Sequence, residues 1–200
     1  MIKNKEAMLD NLKKYKVILA SNSPRRKELL AGLGVDYEVR TLPDVDESYP
    51  ETLQGADIPL YIAKEKADAY VAMMQPGELM ITADTIVWLD GQVLGKPVDR
   101  EDALRMLRTM SGRSHEVFTG VCITTTEWQR SFTAQTEVRF ATLSEDEIAY
   151  YVDRFQPMDK AGAYGVQEWI GFIGVENISG SYYNIMGLPV QKLYRELLKV

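Results

Sequence analysis

The residues most capable of chemistry lie in one short run, Ser21 to Glu28, which reads SNSPRRKE. A helix start carries about half a positive charge and usually collects acids. Here Arg25, Arg26 and Lys27 crowd the first turn of a helix that Pro24 is suited to open. Each such charge costs about 0.3–1 kcal/mol unless something anionic approaches. Free backbone N–H groups beside two guanidinium forks make a phosphate site. The plainer reading is a solvated turn in which Glu28 and nearby acids offset the bases. Asp84 lies inside the apolar run ITADTIVW, where a carboxylate is costly unless paired or bound to metal. Its plainer reading is a strand-end Asp capping a turn. Glu47 in PDVDES is a second acid on a loop, and Lys96 in LGKPVD is a cation that could reach a phosphate. Each alone would pass as surface charge.

Other chemistries fall away. His115 is the only histidine and Cys122 the only cysteine, so neither a His-rich metal site nor an intrachain disulfide exists. His115, in SGRSHEVF at a strand start, reads as structural, and Cys122 in GVCIT faces the core. GQVLGKP has three residues between its glycines where a P-loop has four, and Pro97 stands where Ser or Thr binds magnesium. No GxGxxG opens a helix after a strand. Carboxylate, lysine and arginine remain, a set suited to metal-assisted attack of water on a phosphate.

The chain around these residues has 200 residues, 46% hydrophobic and 26% charged, which is the balance of one domain or two small ones sharing a core. A net charge of −6 speaks against general nucleic-acid binding, though a small anion needs only a local cluster of bases. Residues 1–16 are charged throughout, unlike a signal peptide or anchor, and no run approaches the roughly 18 apolar residues of a membrane span. The chain is expected in the cytoplasm, away from membranes.

A leading helix is expected with Ile2, Met8, Leu9, Leu12 and Tyr15 on one face. A strand over 17–20, a helix from Pro24 to Gly32 or Gly34 and a loop over 36–56 follow. A helix spans 58–74, and residues 79–89 read as a strand interrupted at Asp84-Thr85. Asp90-Gly91 turns a hairpin into 92–94. Asp99 caps a helix to Met110, strands over 117–126 and 132–141 pair, and Ser144 with Glu147 boxes a helix to Arg154. Residues 161–190 look irregular with short strands, and Pro189 can open a terminal helix. This mixture without strict βαβ regularity predicts α/β with a mixed sheet flanked by helices.

Taken together, LASNSPRRKELL, PDVDE, AKEKA, ADTIV, GKPVD, SGRSHEVFTGV, DKAGAYGVQ and GSYYNIMGLP resemble, in order, the Maf family of nucleoside triphosphate pyrophosphatases. The resemblance covers about Val17 to Leu198, so residues 1–16 look like a helical extension before a single catalytic domain, 17–200. It implies two lobes around a central cleft, as in inosine triphosphatases. It also implies hydrolysis between the α- and β-phosphates with a divalent cation, Mg2+ or Mn2+. By the same resemblance Asp84 matches the proton acceptor. Ser21, Arg26, Lys66 and Lys96 match phosphate-site residues, and Glu47 an acid near the metal. Periodicity cannot choose between Lys64 and Lys66; only the EKA match selects Lys66. Arg25, Thr85 and Gln167 agree with the subgroup acting on dTTP and UTP, where a 7-methyl-GTP subgroup has Trp, Gln and Glu. The Gln167 amide offers the donor and acceptor that a uracil or thymine edge needs. Glu168-Trp169 departs from relatives that place Gly after the Gln.

The expected roles follow. Asp84 is the general base and a metal contact with Glu47, while Arg25, Arg26, Lys66, Lys96 and Lys160 neutralise the triphosphate. Two readings stand beside this one: a pyrophosphatase for modified or 7-methyl-guanosine nucleotides, and a non-catalytic nucleotide-binding regulator of cell division. The oligomeric state is left open, a homodimer being one option.

Overall fold

The longest apolar run of the chain becomes β3 (Glu78–Leu89), twelve residues without a break. The interruption expected at Asp84-Thr85 is absent because β5 (Ser114–Thr124) pairs antiparallel with β3 from Met80 to Trp88, setting Asp84 opposite Gly120 and Thr85 opposite Thr119. The computed structural model describes residues 8–43 and 45–200. Their strands form one seven-stranded sheet. β1 (Lys16–Leu19) lies parallel to β3 and to β2 (Glu38–Val39). The Asp90-Gly91 turn returns the chain as β4 (Gln92–Leu94), and β6 (Gln129–Phe140) and β7 (Val175–Ser179) extend the antiparallel side. The hairpin of β5 and β6 is longer at its open end than the sequence suggests, since Ser114 already pairs with Arg139.

Local signals start the helices. Ser23 accepts from Arg26 N at 3.4 Å to cap α1 (Pro24–Gly32), and Asp99 accepts from Asp102 N at 2.8 Å to cap α3 (Arg100–Met110). The capping box of Ser144 and Glu147 opens α4 (Glu145–Phe155). α2 (Asp57–Val71) lies between α1 and α3 in sequence. The expected leading helix is, in its described part, only a 3-10 turn over Asp10–Lys14, because Tyr15 is already extended on the way into β1. Ile2 lies outside the described residues. Residues 161–190 hold one strand, β7, and the short helices α5 (Trp169–Gly174) and α6 (Tyr182–Ile185), before α7 (Val190–Leu197). No helix of the described residues is long and apolar enough to cross a membrane.

Alternation along β3 then sorts the layers. Leu79, Ile81, Ala83, Val87 and Leu89 join the main core with α1, α3, α4 and α7. Met80 and Ile86 face α2, where Thr82 Oγ1 donates to Ala63 O at 2.7 Å. Helices thus cover both faces of a mixed sheet, as the α/β class implies. α2 can lie close to the sheet only because Gly120 has no side chain: a Cβ there would stand 2.3 Å from Pro59 O and 2.4 Å from Leu60 N.

His115 is 2% exposed, its Nε2 is 2.8 Å from Tyr164 Oη, and its ring sits edge-on to Phe140 at 5.0 Å. Burial lowers its pKa from 6.5 to about 4. The unfolded chain therefore binds a proton below pH 6.5 that the folded chain refuses until about pH 4. That contribution to stability is lost as pH falls through this window, about 2 kcal/mol of it between pH 7 and pH 5. Urea unfolding at those two pH values should show the loss, and His115→Phe should remove it; an equal loss in both proteins would contradict the assignment. Gly120→Ala should cost about 1–3 kcal/mol by forcing α2 off the strand. An unchanged unfolding midpoint would show that the close approach is dispensable.

Candidate active site

β1 accompanies β3 only as far as Ile81, the last contact being Ala20 N to Ile81 O at 3.0 Å. β4 takes up the same edge from Val87. Between them residues 82–86 have no strand partner on that side among the described residues. A cleft of about 790 Å³ opens there, beyond the carboxyl end of β1, where parallel strands commonly expose a site. Ser21, Arg25, Arg26, Glu47, Lys66, Asp84, Thr85, Lys96, Lys160 and Gln167 all line it. Its walls carry five bases against three acids, the reverse of the chain's −6 balance.

Asp84 points to the α2 face, where Lys66 Nζ donates to its Oδ1 at 2.8 Å. The same ammonium lies 2.7 Å from Glu47 Oε1, so one lysine bridges two carboxylates. Lys66 faces the strand and Lys64 is exposed, which is the choice periodicity left open. Glu47 comes from a long loop anchored at its start. Leu42 N donates to Tyr70 Oη at 2.7 Å, and Arg40 forks onto Glu78 at 2.9 and 2.6 Å. Burial raises the Glu47 carboxyl, but the Lys66 bond and the charges of Lys66, Lys96 and Arg26 together hold it below its ordinary value.

Thr85 points to the other face of β3. Its Oγ1 accepts from Arg26 Nη2 at 3.1 Å and meets Thr119 Oγ1 at 2.9 Å. Arg26 Nε also donates to Gly187 O at 2.8 Å, so its guanidinium is aimed before any ligand arrives. Burial lowers the Arg26 pKa while Asp84 opposes the shift; a guanidinium stays charged regardless. Ser21, buried at the foot of α1, accepts from Ser23 N at 3.2 Å. Lys96 stands exposed at the rim with no ion pair among the described residues.

The opposite wall is balanced. Arg25 Nη1 lies 3.0 Å from Asp159 Oδ2, and Lys160 Nζ lies 2.8 Å from Asp159 Oδ1 and 3.1 Å from Glu168 Oε1. Lys160 is 10% exposed, and its charge is shared by two carboxylates, as that of Lys66 is by Asp84 and Glu47. Burial raises the Asp159 carboxyl, but Lys160 and Arg25 hold it low. The sequence reading did not single out Asp159 or the Gly187 carbonyl, and it marked Glu168 only as a departure from relatives. The Asp-Lys pair in DKAGAYGVQ was a signal for the first; a backbone oxygen leaves none.

Among the described residues no three His, Cys, Asp or Glu side chains converge as a metal cluster. Asp84 and Glu47 on one ammonium still fit a hard cation, which commonly takes one or two carboxylates and draws its other ligands from water and phosphate.

A dTTP/UTP pyrophosphatase of Bacteroides thetaiotaomicron is 75% identical over 193 residues, 96% of this chain and 100% of that protein. One of Phocaeicola vulgatus is 66% identical over 193 residues, again 96% and 100%. Among solved structures, a HAM1 protein from Coxiella burnetii aligns with 93% of this chain and 100% of its own, at 16% identity and a TM-score of 0.48. The sequence model described as Maf-like protein matches residues 16–200, and the chain belongs to the Maf family.

Proposed function

We propose that this chain hydrolyses dTTP and UTP to the nucleoside monophosphate and pyrophosphate, a nucleotide-pool sanitation activity. The observation that carries the reading is Lys66 bridging Asp84 and Glu47 at the open edge of β3, inside a cleft with an excess of bases. Relatives named for that activity match this chain at 66–75% identity along their whole length, which supports the choice of substrate.

The triphosphate lies against Ser21, Arg26, Lys66 and Lys96. Arg26 is preoriented by Gly187 and Thr85, so little reorganisation is needed as charge develops on the leaving group. Lys66 uses only Oδ1 of Asp84. Oδ2 accepts a proton from water as that water attacks the α-phosphorus; the bond from this phosphorus to the bridging oxygen breaks, and pyrophosphate leaves with the electron pair. Asp84 and Glu47 would hold Mg2+ or Mn2+, which supplies charge stabilisation to phosphate oxygens. Arg25 and Lys160, matched by Asp159 and Glu168, belong to the base side of the cleft with Thr85 and Gln167. A reducing, cytoplasmic setting suits the lone buried Cys122.

Incubation with dTTP and UTP plus Mg2+ should release pyrophosphate, and a chelator should stop it until Mn2+ or Mg2+ is restored. Orthophosphate without pyrophosphate would sink the mechanism. Tight dTTP binding without turnover would point instead to the regulator. Asp84→Asn should lower kcat by about a hundredfold or more with the unfolding midpoint retained. Undiminished turnover would remove Asp84 from the role of base.

A further inference from the structure

Gln167 stands in the cleft with its amide oxygen shielded from solvent and without a hydrogen-bond partner among the described residues. A shielded acceptor left unmade costs about 1–3 kcal/mol, so a ligand N–H is the natural donor for it. How the amide is held in place is visible in the four residues around it. Residues 165–168 form a tight turn in which Glu168 N donates to Gly165 O at 2.9 Å. The Gln167 and Glu168 side chains fold back over Gly165, where a Cβ would meet the Glu168 carboxyl carbon at 2.9 Å and Gln167 Nε2 at 3.0 Å. Both ends of the turn meet one hydroxyl: Gly165 N donates to Tyr151 Oη at 3.0 Å, and Tyr151 Oη donates to Glu168 Oε2. The other Glu168 oxygen faces Lys160. Tyr151 is fully buried on α4, ring-stacked on Phe155 at 5.1 Å, so it offers a fixed reference. Burial first, and the Glu168 bond second, push its hydroxyl well above its ordinary pKa, which keeps it a donor.

We propose that Tyr151 and Glu168 are positioning residues for base selection: they clamp the two ends of the 165–168 turn so that the Gln167 amide meets the imide edge of a uracil or thymine ring. The inference rests on the reading of the preceding subsection. The imide N3–H suits the unpaired Gln167 oxygen and the adjacent ring carbonyl suits its NH2. Cytosine is nearly isosteric but presents N3 as an acceptor, so it would leave that oxygen unpaired. Sites built to hydrogen-bond a group discriminate strongly against analogues lacking it. The charge balance of this wall agrees, since Arg25 and Lys160 are matched by Asp159 and Glu168, which favours an uncharged ring over phosphate.

The test compares UTP with CTP on the full chain. Wild type should prefer UTP. Tyr151→Phe and Glu168→Ala should each raise KM for UTP about tenfold, leave kcat within about twofold and reduce the UTP-over-CTP preference by about tenfold. Circular dichroism and unfolding midpoints identify variants that remain folded. If Tyr151→Phe does not fold, Glu168→Ala decides alone. A folded variant that keeps the wild-type preference overturns the clamp, as does one that loses rate equally on both nucleotides. Wild type showing no preference between UTP and CTP would overturn base reading by Gln167 itself, and that result is seen before any variant is made.

Discussion

β3 is paired along one whole edge and only partly along the other, and the site depends on that inequality. β5 holds it from Met80 to Trp88, while β1 leaves at Ile81 and β4 arrives at Val87. A buried strand edge with unmet backbone groups is normally avoided. Here the gap is the floor of the cleft, and the side chains on it are the half-buried Asp84 and Thr85. The rigid half of the strand supplies precision and the open half supplies access.

Because successive residues of a strand face opposite ways, Asp84 and Thr85 serve different sets of partners from adjacent positions. Asp84 joins Lys66 and Glu47 on the side of α2, and Thr85 joins Arg26, Thr119 and Gly187 on the side of the main core. The balanced ion pairs around Asp159 form a third group. An acidic chain thereby keeps a cleft with more bases than acids, in which Arg26 beside Thr85 and Lys96 at the rim are the bases without an ion pair among the described residues.

Much of this was legible in short range. The basic first turn of α1, the Asp99 cap, the Ser144–Glu147 box and the Asp90-Gly91 turn depend on neighbours in sequence, and local physics suffices for them. The carboxylate at Asp84 was visible as one that needs a partner, but its effect on the strand was misjudged. Asp is depleted inside strands, so a break was expected; the sheet instead opens beside an unbroken strand. Lys66 could not be told from Lys64, since the rotation of α2 is fixed by contact with Gly120, 54 positions along the chain from Lys66. Tyr151 reads as one more apolar residue on α4, and its hydroxyl acquires meaning only when residues 165–168 fold onto it.

The pairing of Asp84 with Gly120 and of Thr85 with Thr119 bears on folding as well. β3 and β5 are apolar on both faces for most of their length, and hydrophobic pattern alone specifies the register of such strands weakly. A slip of β5 by one residue would keep most of the oily contacts yet bring a side chain against the backbone of Pro59 and Leu60, while a slip of β3 would turn the Asp84 carboxylate into the core. The small, polar step in the middle of the ladder therefore acts as an alignment mark during assembly. Misregistered chains would be poorly packed, so this sheet has few ways to be stable and inactive at once.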